Sequence, residues 1–469
     1  MWDSLFFINQ NSLRAFLRYV VTEKLGYGAF STVWNCKDLK FGKKNVAVKV
    51  AKLDESATAQ ARDEVELLKC SEAAAGHGTG SEFVVKMVGH FEVKGPCGVH
   101  TCIALELLGP SLLSFIPNEG MCLENVKAIM KQVLEGLSFL HDRAQIIHTD
   151  IKPENILVVG CPPEADAFKK PVVELRVKVA DLGSSCWVDK KFSVKIGTQE
   201  YRAPEVLLQA GYGTPADIWS SGCLAFELAT ADYLFMPKEA SDPSEFFTKE
   251  EDHLSLITEL LGPLPSDLVK RGQWRKYYKS TKKTDRFRNI RATDLAYKTL
   301  NMLLKEDYKW KACTADDFSS WLLPMLRLYP ENRVTALESS RHPFLQAVQD
   351  RASRERKKLV RVRSETANEK MKCLASKFKN KQQKKAKLSK NGHASTPNSR
   401  VTKLRNREEE LGSKLLRSGT PMTRLRAPLE RPEERRRQAE TRHKTAAGLP
   451  PLDILIPTGS PITTIASYR

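Results

Sequence analysis

An acid, a cation and an amide occur close together in the middle of the chain, over residues 148–155. This stretch is His-Thr-Asp-Ile-Lys-Pro-Glu-Asn, and its chemical groups are Asp150, Lys152 and Asn155. They suit transfer of a γ-phosphoryl group to a hydroxyl. A carboxylate orients the hydroxyl and takes its proton, a cation meets the moving charge, and an amide oxygen binds Mg²⁺. A charged surface loop that matches by chance is the alternative interpretation.

Elements typical of phosphate binding precede this stretch. Alternating apolar residues predict strands over 19–25, 32–34 and 46–50. Glycines in the turn between the first two strands let the backbone lie close over phosphates. The residues predicted to bind the nucleotide in this region are Leu25, Gly26, Tyr27, Gly28, Ala29, Phe30, Ser31, Thr32, Val33, Ala47 and Lys49. Ser31 stands where such loops have their third glycine.

Further motifs follow at fixed distances. Asp181, in Asp-Leu-Gly, lies 26 residues after Asn155, and Glu205, in Ala-Pro-Glu, lies 24 residues after Asp181. A helix predicted over 56–70 offers Glu64 and Glu66 as partners for the lysine. Six spaced elements agree, which excludes coincidence. Over about residues 19–346 the chain resembles a eukaryotic protein kinase.

This resemblance implies an α+β, two-lobed fold. The expected parts are an N-terminal extension over 1–18, a small β-rich lobe over 19–105, a hinge over 106–109, and a large helical lobe over 110–346. Strand-like runs are predicted within the small lobe at 83–85 and 101–105, and a helix at 126–141 leads into the catalytic loop.

The resemblance also implies roles for individual residues. Glu64 is preferred over Glu66, because kinase helices place this acid before an apolar residue and a Leu-Leu pair. The backbone of the hinge would bond the adenine, so Leu105, Glu106 and Leu108 complete the predicted ATP site. Asp150 and Lys152 are the predicted catalytic residues, and Asn155 and Asp181 the predicted Mg²⁺ ligands. Asp217 is expected to hold the catalytic loop from below, and Glu205 to pair with Arg333.

The catalytic-loop sequence resembles the SR-protein kinase family and the related Clk group in particular. Further stretches that carry the closer resemblance lie at 30–34, 180–183, 186–188, 211–219, 225–230, 232–235, 251–253 and 259–262. Residues 198–205 are closer to the Clk group, so a dual-specificity kinase is the alternative. Thr149 replaces the arginine that usually receives an activation-loop phosphate, which predicts activity without that phosphate.

Charge is concentrated at one end of the chain. Residues 351–469 hold 31 Lys and Arg against 11 Asp and Glu, a net of +20, whereas residues 1–350 carry a net of −1. This composition predicts a basic, mostly disordered tail with some helix over 406–416. Lysine-rich runs at 377–381 and 384–387 suggest weak RNA or import-factor binding. A solubilising tail, or a scaffold protein that acts through the tail alone, are the alternatives.

An acidic cluster contrasts with this tail. It consists of Glu239, Asp242, Glu245, Glu250, Glu251 and Asp252. By resemblance to SR-protein kinases, which dock basic segments in an acidic groove, the predicted docking residues are Asp232, Asp252 and Glu259. A solvated loop with nothing bound is the alternative for this cluster.

The expected protein is a non-specific serine/threonine kinase that uses ATP and Mg²⁺. Its expected partners are arginine- and serine-rich splicing factors. The ten cysteines are scattered without a Cys-x-x-Cys pair, which favours a reducing compartment, the cytoplasm and nucleus. No signal peptide and no membrane span are predicted, and a monomer is expected.

Overall fold

The computed structural model describes residues 18–346, apart from positions 41, 43, 78–79, 96, 161–164, 240–247, 274–277, 282–283 and 288–296. The tail over 351–469, including the predicted helix at 406–416 and both lysine-rich runs, lies outside the described residues. So does the N-terminal extension, except for Arg18. Among the described residues, no helix combines the length and the hydropathy needed to cross a bilayer.

The small lobe is built on one antiparallel sheet of five strands. The strands are β1 (Tyr19–Tyr27), β2 (Ser31–Asp38), β3 (Lys44–Ala51), β4 (Met87–Gly95) and β5 (Gly98–Glu106), in the spatial order β1-β2-β3-β5-β4. Alternation along β3 buries Val46 and Val48, which form a small core with Tyr19, Cys36 and Cys102. Lys49 therefore lies on the opposite face from that core.

A single long helix, α1 (Glu55–Ala74), accompanies the sheet. Asp54 caps it, because the carboxylate of Asp54 accepts a hydrogen bond from the Ala57 N–H at 2.8 Å. The predicted apolar face is confirmed, since Ala61, Val65 and Leu68 are buried. Glu64 is buried with them, one helical turn before Leu68.

The strand predicted over 83–85 is wrong. Residues 81–83 form a 3-10 turn, Val84 makes only an isolated bridge to Val179, and the strand of this region is β4. Val84 and Val85 are apolar because they are buried in the large core that they share with the second lobe. The β4 strand exposes every second residue and contains two glycines, so its hydrophobic pattern is weak.

The large lobe is mainly helical. Its helices are α2 (Leu123–Ser138), α3 (Pro204–Leu207), α4 (Pro215–Thr230), α5 (Lys249–Leu261), α6 (Ser266–Arg271), α7 (Leu300–Glu306), α8 (Ala312–Leu322) and α9 (Ala336–Ser340). Its strands form three antiparallel pairs, β6 (Ile146–Ile147) with β9 (Cys186–Trp187), β7 (Ile156–Val158) with β8 (Val177–Val179), and β10 (Tyr278–Thr281) with β11 (Thr284–Phe287). The helix α4 is buried from Ala216 to Thr230 and forms the centre of this lobe. The catalytic loop lies between β6 and β7, so strands on both sides fix its ends.

Candidate active site

Lys49 connects the two lobes through a pair of carboxylates. The Lys49 ammonium lies 2.9 and 2.8 Å from the two Glu64 oxygens and 2.7 Å from Asp181 Oδ1. The predicted ion pair with Glu64 is thereby confirmed. Glu66 instead pairs with Lys69 on the exposed side of α1. The phase of the helix decides between the two acids, since residues two apart point in different directions.

The charges of this group stabilise one another. Burial alone would lower the pKa of the Lys49 ammonium, but the carboxylates of Asp181 and Glu64 raise that pKa by more, so it lies above its ordinary value. The same ammonium lowers the pKa of Asp181 to about 2. Asp181 is therefore ionised at neutral pH, and the exposure of half of its side chain to water favours the charged form as well. Gly183 completes the group, because a Cβ there would lie 3.1 Å from both Lys49 Nζ and Asp181 Oδ1.

The glycine-containing turn lies between β1 and β2, where the sequence predicts it. Gly28 N–H donates to the carbonyl of Ser31 at 2.8 Å, and Ser31 itself is buried. A Cβ at Gly26 or Gly28 would meet no atom of the described residues within 4 Å, and neither residue has a positive φ. The described part of the chain thus gives no reason for glycine at these positions. A ligand that lies close over the turn would supply one.

The backbone N–H groups of the hinge, the segment between the lobes, differ in whether they already donate a hydrogen bond within the protein. Glu106 N–H donates to the carbonyl of Lys86, and Gly109 N–H to the carbonyl of Val158. The N–H groups of Leu107 and Leu108 have no hydrogen-bond partner among the described residues, so both remain as donors for a ligand. Leu105 faces Ala47 across the β3–β5 pairing, and both are partly buried.

The side chain of Glu106 is engaged within the protein and is not available for contact with a nucleotide. Its carboxylate accepts from the Lys178 ammonium at 2.5 Å and from the Lys86 N–H at 2.8 Å. Lys178 lies on β8, three residues before Asp181. Glu106 thus connects the hinge to β8, the strand that leads into Asp181, and its backbone is the part that can contribute to a nucleotide site.

The catalytic loop is held from below by one buried carboxylate. Asp217, on α4, accepts from the backbone N–H groups of His148 and Thr149 at 2.7 Å each, and lies 2.8 Å from His141 Nε2. The predicted role of Asp217 as the support of this loop is confirmed. Thr149 has a φ of +70°, a strained conformation for a β-branched residue. The bonds to Asp217, and one from the Thr149 hydroxyl to the carbonyl of Ser184 at 2.7 Å, stabilise it there.

Above this support, Asp150 is oriented by a residue 48 positions later. Its Oδ1 accepts from both the hydroxyl and the N–H of Thr198, at 2.8 and 3.1 Å. The Lys152 ammonium lies 2.7 Å from Asp150 Oδ2 and donates to the Thr198 hydroxyl at 2.8 Å. Burial alone would lower the pKa of Lys152, but the Asp150 carboxylate and other nearby acids raise it by more. Such a carboxylate can orient a hydroxyl and accept its proton, with a cation beside it.

Asn155 and Asp181 have the donor atoms that suit Mg²⁺. The amide nitrogen of Asn155 donates to the carbonyl of Asp150 at 2.8 Å, which leaves its amide oxygen as the ligand atom. Lys49 and Gly183 approach Oδ1 of Asp181, which leaves Oδ2. Carboxylate and amide oxygens are hard ligands, and Mg²⁺ in phosphoryl-transfer sites takes few protein ligands beside phosphate oxygens and water. The residues present therefore fit this ion.

The segment after Asp181 is fixed by ion pairs and aromatic contacts. Glu205 and Arg333 form the predicted pair in the interior, with two contacts of 2.8 and 3.0 Å between fully buried side chains. Nearer the surface, Lys195 lies 2.8 Å from Glu250. The Lys190 ammonium lies 5.5 Å from the ring centroids of both Trp187 and Phe192.

The predicted docking residues lie on the large lobe, and two of them share one helix. Asp252 and Glu259 are both on α5, seven residues apart, and therefore lie on the same side of it. Asp252 accepts from the Lys238 N–H at 2.7 Å, and the exposed Asp232 accepts from the Tyr308 hydroxyl at 3.2 Å.

The wider acidic cluster is partly engaged within the protein. Glu251 is buried and forms the capping box of α5 with Thr248, so it is not available to a substrate. Glu250 pairs with Lys195. Asp242 and Glu245 lie outside the described residues. Among the described residues of this cluster, Glu239 is exposed and Asp252 is partly buried.

Sequence analysis missed the functional contacts of Thr198, Gln60 and Lys178. Gln60 Nε2 donates to the carbonyl of Gly183 at 2.6 Å and thus binds α1 to the Asp-Leu-Gly turn. Each of these side chains acts on a residue far away in the chain. The only signal for Thr198 was its position seven residues before Glu205.

Two lobes, a lysine–glutamate pair between them, a supported catalytic aspartate and a half-exposed second aspartate together define a protein kinase. The family model of the protein kinase domain matches residues 19–345.

Several similar proteins share one narrower family. A serine/threonine-protein kinase SRPK of Physarum polycephalum is 35% identical over 373 residues, which span 70% of this chain and 85% of that protein. SRSF protein kinase 3 of Mus musculus is 29% identical, over 70% of this chain and 86% of that protein. Protein kinase dsk1 of Schizosaccharomyces pombe is 28% identical, over 71% and 81%. The chain belongs to the SR-protein kinase family, and it is an ATP-dependent serine/threonine protein kinase.

Proposed function

We propose that this kinase transfers phosphate from Mg²⁺-bound ATP to serines of arginine- and serine-rich proteins, such as splicing factors. The observation that carries this proposal is the catalytic centre of Asp150, Lys152 and Thr198, in a chain similar to proteins named SRPK and SRSF protein kinase. Basic substrates suit the acids on the large lobe, because residues 1–350 as a whole are nearly neutral and do not repel a cationic chain.

Each group at the centre has a distinct task in this mechanism. Asp150 orients the serine hydroxyl and takes its proton, and Thr198 keeps the carboxylate in that direction. Lys49 holds the nucleotide phosphates, and Glu64 fixes Lys49. Lys152 neutralises charge on the transferred group. The backbone of the turn over 26–33 covers the phosphates, and the Leu108 N–H binds the adenine edge.

Asn155 and Asp181 would hold Mg²⁺ through their remaining oxygens. When bound, the ion supplies positive charge beside the phosphate oxygens. Asp181 suits this task because the nearby Lys49 ammonium keeps its pKa near 2, so the carboxylate stays ionised throughout the physiological range.

A peptide panel tests the substrate class. We expect the purified chain to phosphorylate an Arg-Ser repeat peptide at least tenfold faster than a Ser-Pro peptide or a tyrosine peptide of equal length. Comparable rates on the tyrosine or Ser-Pro peptide would favour the Clk-like alternative. No transfer to the Arg-Ser peptide, with transfer to another basic peptide, would overturn the proposed substrate.

We propose further that Asp232, Asp252 and Glu259 dock the basic segments of long substrates. Asp252 and Glu259 are about 10 Å apart along α5, which corresponds to three residues of an extended peptide. Arginines spaced along a repeat would reach both carboxylates at once. Attraction between exposed charges is screened by salt, so docking of this kind should weaken as ionic strength rises.

Charge reversal tests this docking. Asp232→Lys combined with Asp252→Lys should raise the KM for a long Arg-Ser substrate several-fold and leave a short peptide nearly unchanged, with the difference shrinking in high salt. The matched control, Glu66→Lys with Glu92→Lys, makes the same charge change at partly exposed acids of the small lobe. Equal losses on long and short substrates, or an equal effect of the control, would count against docking.

We also propose that the kinase is a monomer of the cytoplasm and nucleus. The eight cysteines that the structure describes are all free, which suits a reducing compartment. Imaging of the tagged full chain tests the location, with the lysines of 377–387 replaced as the comparison. Light scattering of the purified chain tests the monomer.

A further inference from the structure

An ion pair joins the hinge to a strand of the large lobe. The Lys178 ammonium lies 2.5 Å from Oε1 of Glu106, 72 residues earlier in the chain, and the Lys178 side chain is only 11% exposed. The same Glu106 oxygen accepts a hydrogen bond from the Lys86 N–H at 2.8 Å, and the Glu106 N–H donates to the Lys86 carbonyl at 3.0 Å. One residue therefore links three segments of the chain, which are the loop between α1 and β4, the hinge, and β8.

The direction of the Lys178 side chain follows from the alternation along β8. Val177 and Val179 are buried in the large core, so Lys178 between them points to the opposite face of the strand. The two faces of this short strand are therefore held by different contacts. The valines pack in the core, and the lysine binds the hinge.

Both residues that suit Mg²⁺ lie at one end of the strand pair that contains Lys178. The strands β7 and β8 are antiparallel, with Ile156 opposite Val179, so the start of β7 lies beside the end of β8. Asn155 directly precedes β7, and Asp181 follows β8 after one intervening residue. A shift of this strand pair relative to the hinge would therefore move Asn155 and Asp181 together.

The hinge is the other fixed point of the proposed nucleotide site. The N–H groups of Leu107 and Leu108, which have no partner among the described residues, directly follow Glu106. Two backbone hydrogen bonds between Val158 and residues 109–110 attach β7 to the end of the hinge. The strand β8 is attached to the start of the hinge through the ion pair of Glu106 with Lys178. This pair thus joins the adenine end of the site to its metal end.

We propose that Glu106 and Lys178 are positioning residues, whose ion pair holds β8, and with it Asp181, at a fixed distance from the hinge. This inference rests on the proposed binding of Mg²⁺ by Asn155 and Asp181. Mg²⁺ requires nearly ideal octahedral geometry, so it tolerates little displacement of a carboxylate ligand. A displacement of about 1 Å at a reacting group lowers the rate by about a hundredfold. A partly buried ion pair suits this task, because salt screens it less than an exposed pair.

Calorimetric titration of the full chain separates the placing of the metal ligands from binding of the base. The ratio of the Kd for ADP without Mg²⁺ to the Kd with Mg²⁺ measures the affinity that the ion adds. Lys178→Met should lower this ratio by at least about fivefold and leave the Kd for adenosine, which has no phosphate, nearly unchanged. Lys178→Arg keeps the charge and should retain most of the ratio. The matched control Lys298→Met removes a lysine that lies 2.5 Å from Asp307 in an exposed pair, and it should change neither quantity.

A double-mutant cycle on kcat tests whether the two side chains act as one unit. Glu106→Gln removes the charge but keeps an acceptor for the Lys86 N–H. Each of Lys178→Met and Glu106→Gln should lower kcat several-fold on an Arg-Ser peptide, and their combination should lower it little further. The KM for the peptide should stay the same, because neither residue lies on the side of the site that contains Asp150.

The outcomes separate this inference from the proposed function. An unchanged Mg²⁺-dependent ratio in Lys178→Met, or fully additive losses in the cycle, would overturn the positioning role. A lower melting temperature with normal ADP binding would show that the pair only stabilises the fold, which would overturn it too. If the unaltered chain bound ADP equally well with and without Mg²⁺, the proposed metal site itself would be wrong, and this inference with it.

Discussion

The nucleotide side and the hydroxyl side of the active site are constructed differently. On the nucleotide side, Asp181 is half exposed, and the turn with Gly26 and Gly28 has open space where side chains would project. On the hydroxyl side, Thr198 holds the Asp150 carboxylate directly, and the buried Asp217 holds the backbone of the two residues just before Asp150. The hydroxyl side is thus organised by the protein alone. The nucleotide side leaves contacts for a ligand to complete, which is how a site can bind and release ATP in every cycle.

The largest expected effect comes from removing the central group on either side. Asp150→Ala and Lys49→Met should each lower kcat by at least about a hundredfold, because one loses the base and the other the charge on the phosphates. Peptide phosphorylation measures the loss, and circular dichroism checks folding. Glu64→Ala should lower kcat markedly, whereas the matched Glu66→Ala should not, since Glu66 pairs with Lys69 on the exposed side of α1, away from Lys49. Near-normal turnover in either central variant would refute the assignment.

Removing the support beneath the hydroxyl side should cost stability as well as activity. Asp217→Ala leaves the N–H groups of His148 and Thr149 buried without an acceptor, which should lower the free energy of unfolding by about 3–5 kcal/mol. Thermal or urea unfolding measures the change. Asp142→Ala, an exposed acid just before the same loop, is the control and should change stability by less than about 0.5 kcal/mol. Similar losses in both variants would mean that Asp217 has no special role.

Lowering the pH should reduce the stability of the large lobe before it protonates Asp181 on the nucleotide side. Burial lowers the pKa of His253 to about 3, and both ring nitrogens lack partners among the described residues. The unfolded chain binds a proton near pH 6.5 and the folded chain does not. The contribution of neutral His253 to the free energy of unfolding is therefore fully present above pH 6.5. It is lost as the pH drops toward 3, by up to about 1.4 kcal/mol per pH unit. Asp181 stays ionised over this range.

Urea unfolding between pH 4 and 7 measures this slope. His253→Leu should flatten it, and the exposed His90→Leu should leave it unchanged. A slope that His253→Leu does not alter would show that another group is responsible.

The smallest expected effect concerns phosphate on the activation segment. Thr149 offers no guanidinium to such a phosphate, and Lys195 and Lys190 already hold the segment through Glu250 and two aromatic rings. Phosphatase treatment of the chain should therefore change kcat on an Arg-Ser peptide by less than about twofold. Mass spectrometry should verify that the treatment leaves no phosphate on the activation segment. An enzyme that is inactive until another kinase modifies this segment would contradict the prediction.

Most of the site could be predicted because its groups occur in short motifs. Asp150, Lys152 and Asn155 lie within six residues of one another, so their relative positions follow from one loop. The preference for Glu64, the pair of Glu205 with Arg333 and the support by Asp217 also followed from motifs. The prediction of a strand at 83–85 was wrong. Val84 and Val85 are apolar because they are buried in the core between the lobes, and an apolar run of this kind has the character of a strand.

The sequence by itself determined the chemical groups, their order and the family, since these depend on residue type and local spacing. Only the tertiary structure decided which of those groups meet. It brought Thr198 to Asp150 across 48 residues, turned the Glu106 side chain toward Lys178, and engaged Glu251 in the cap of α5 instead of leaving it for a substrate. Such contacts depend on the orientation of each helix and on how the chain folds back on itself. A hydrogen bond between residues distant in the chain produces no periodic pattern in the sequence from which it could be predicted.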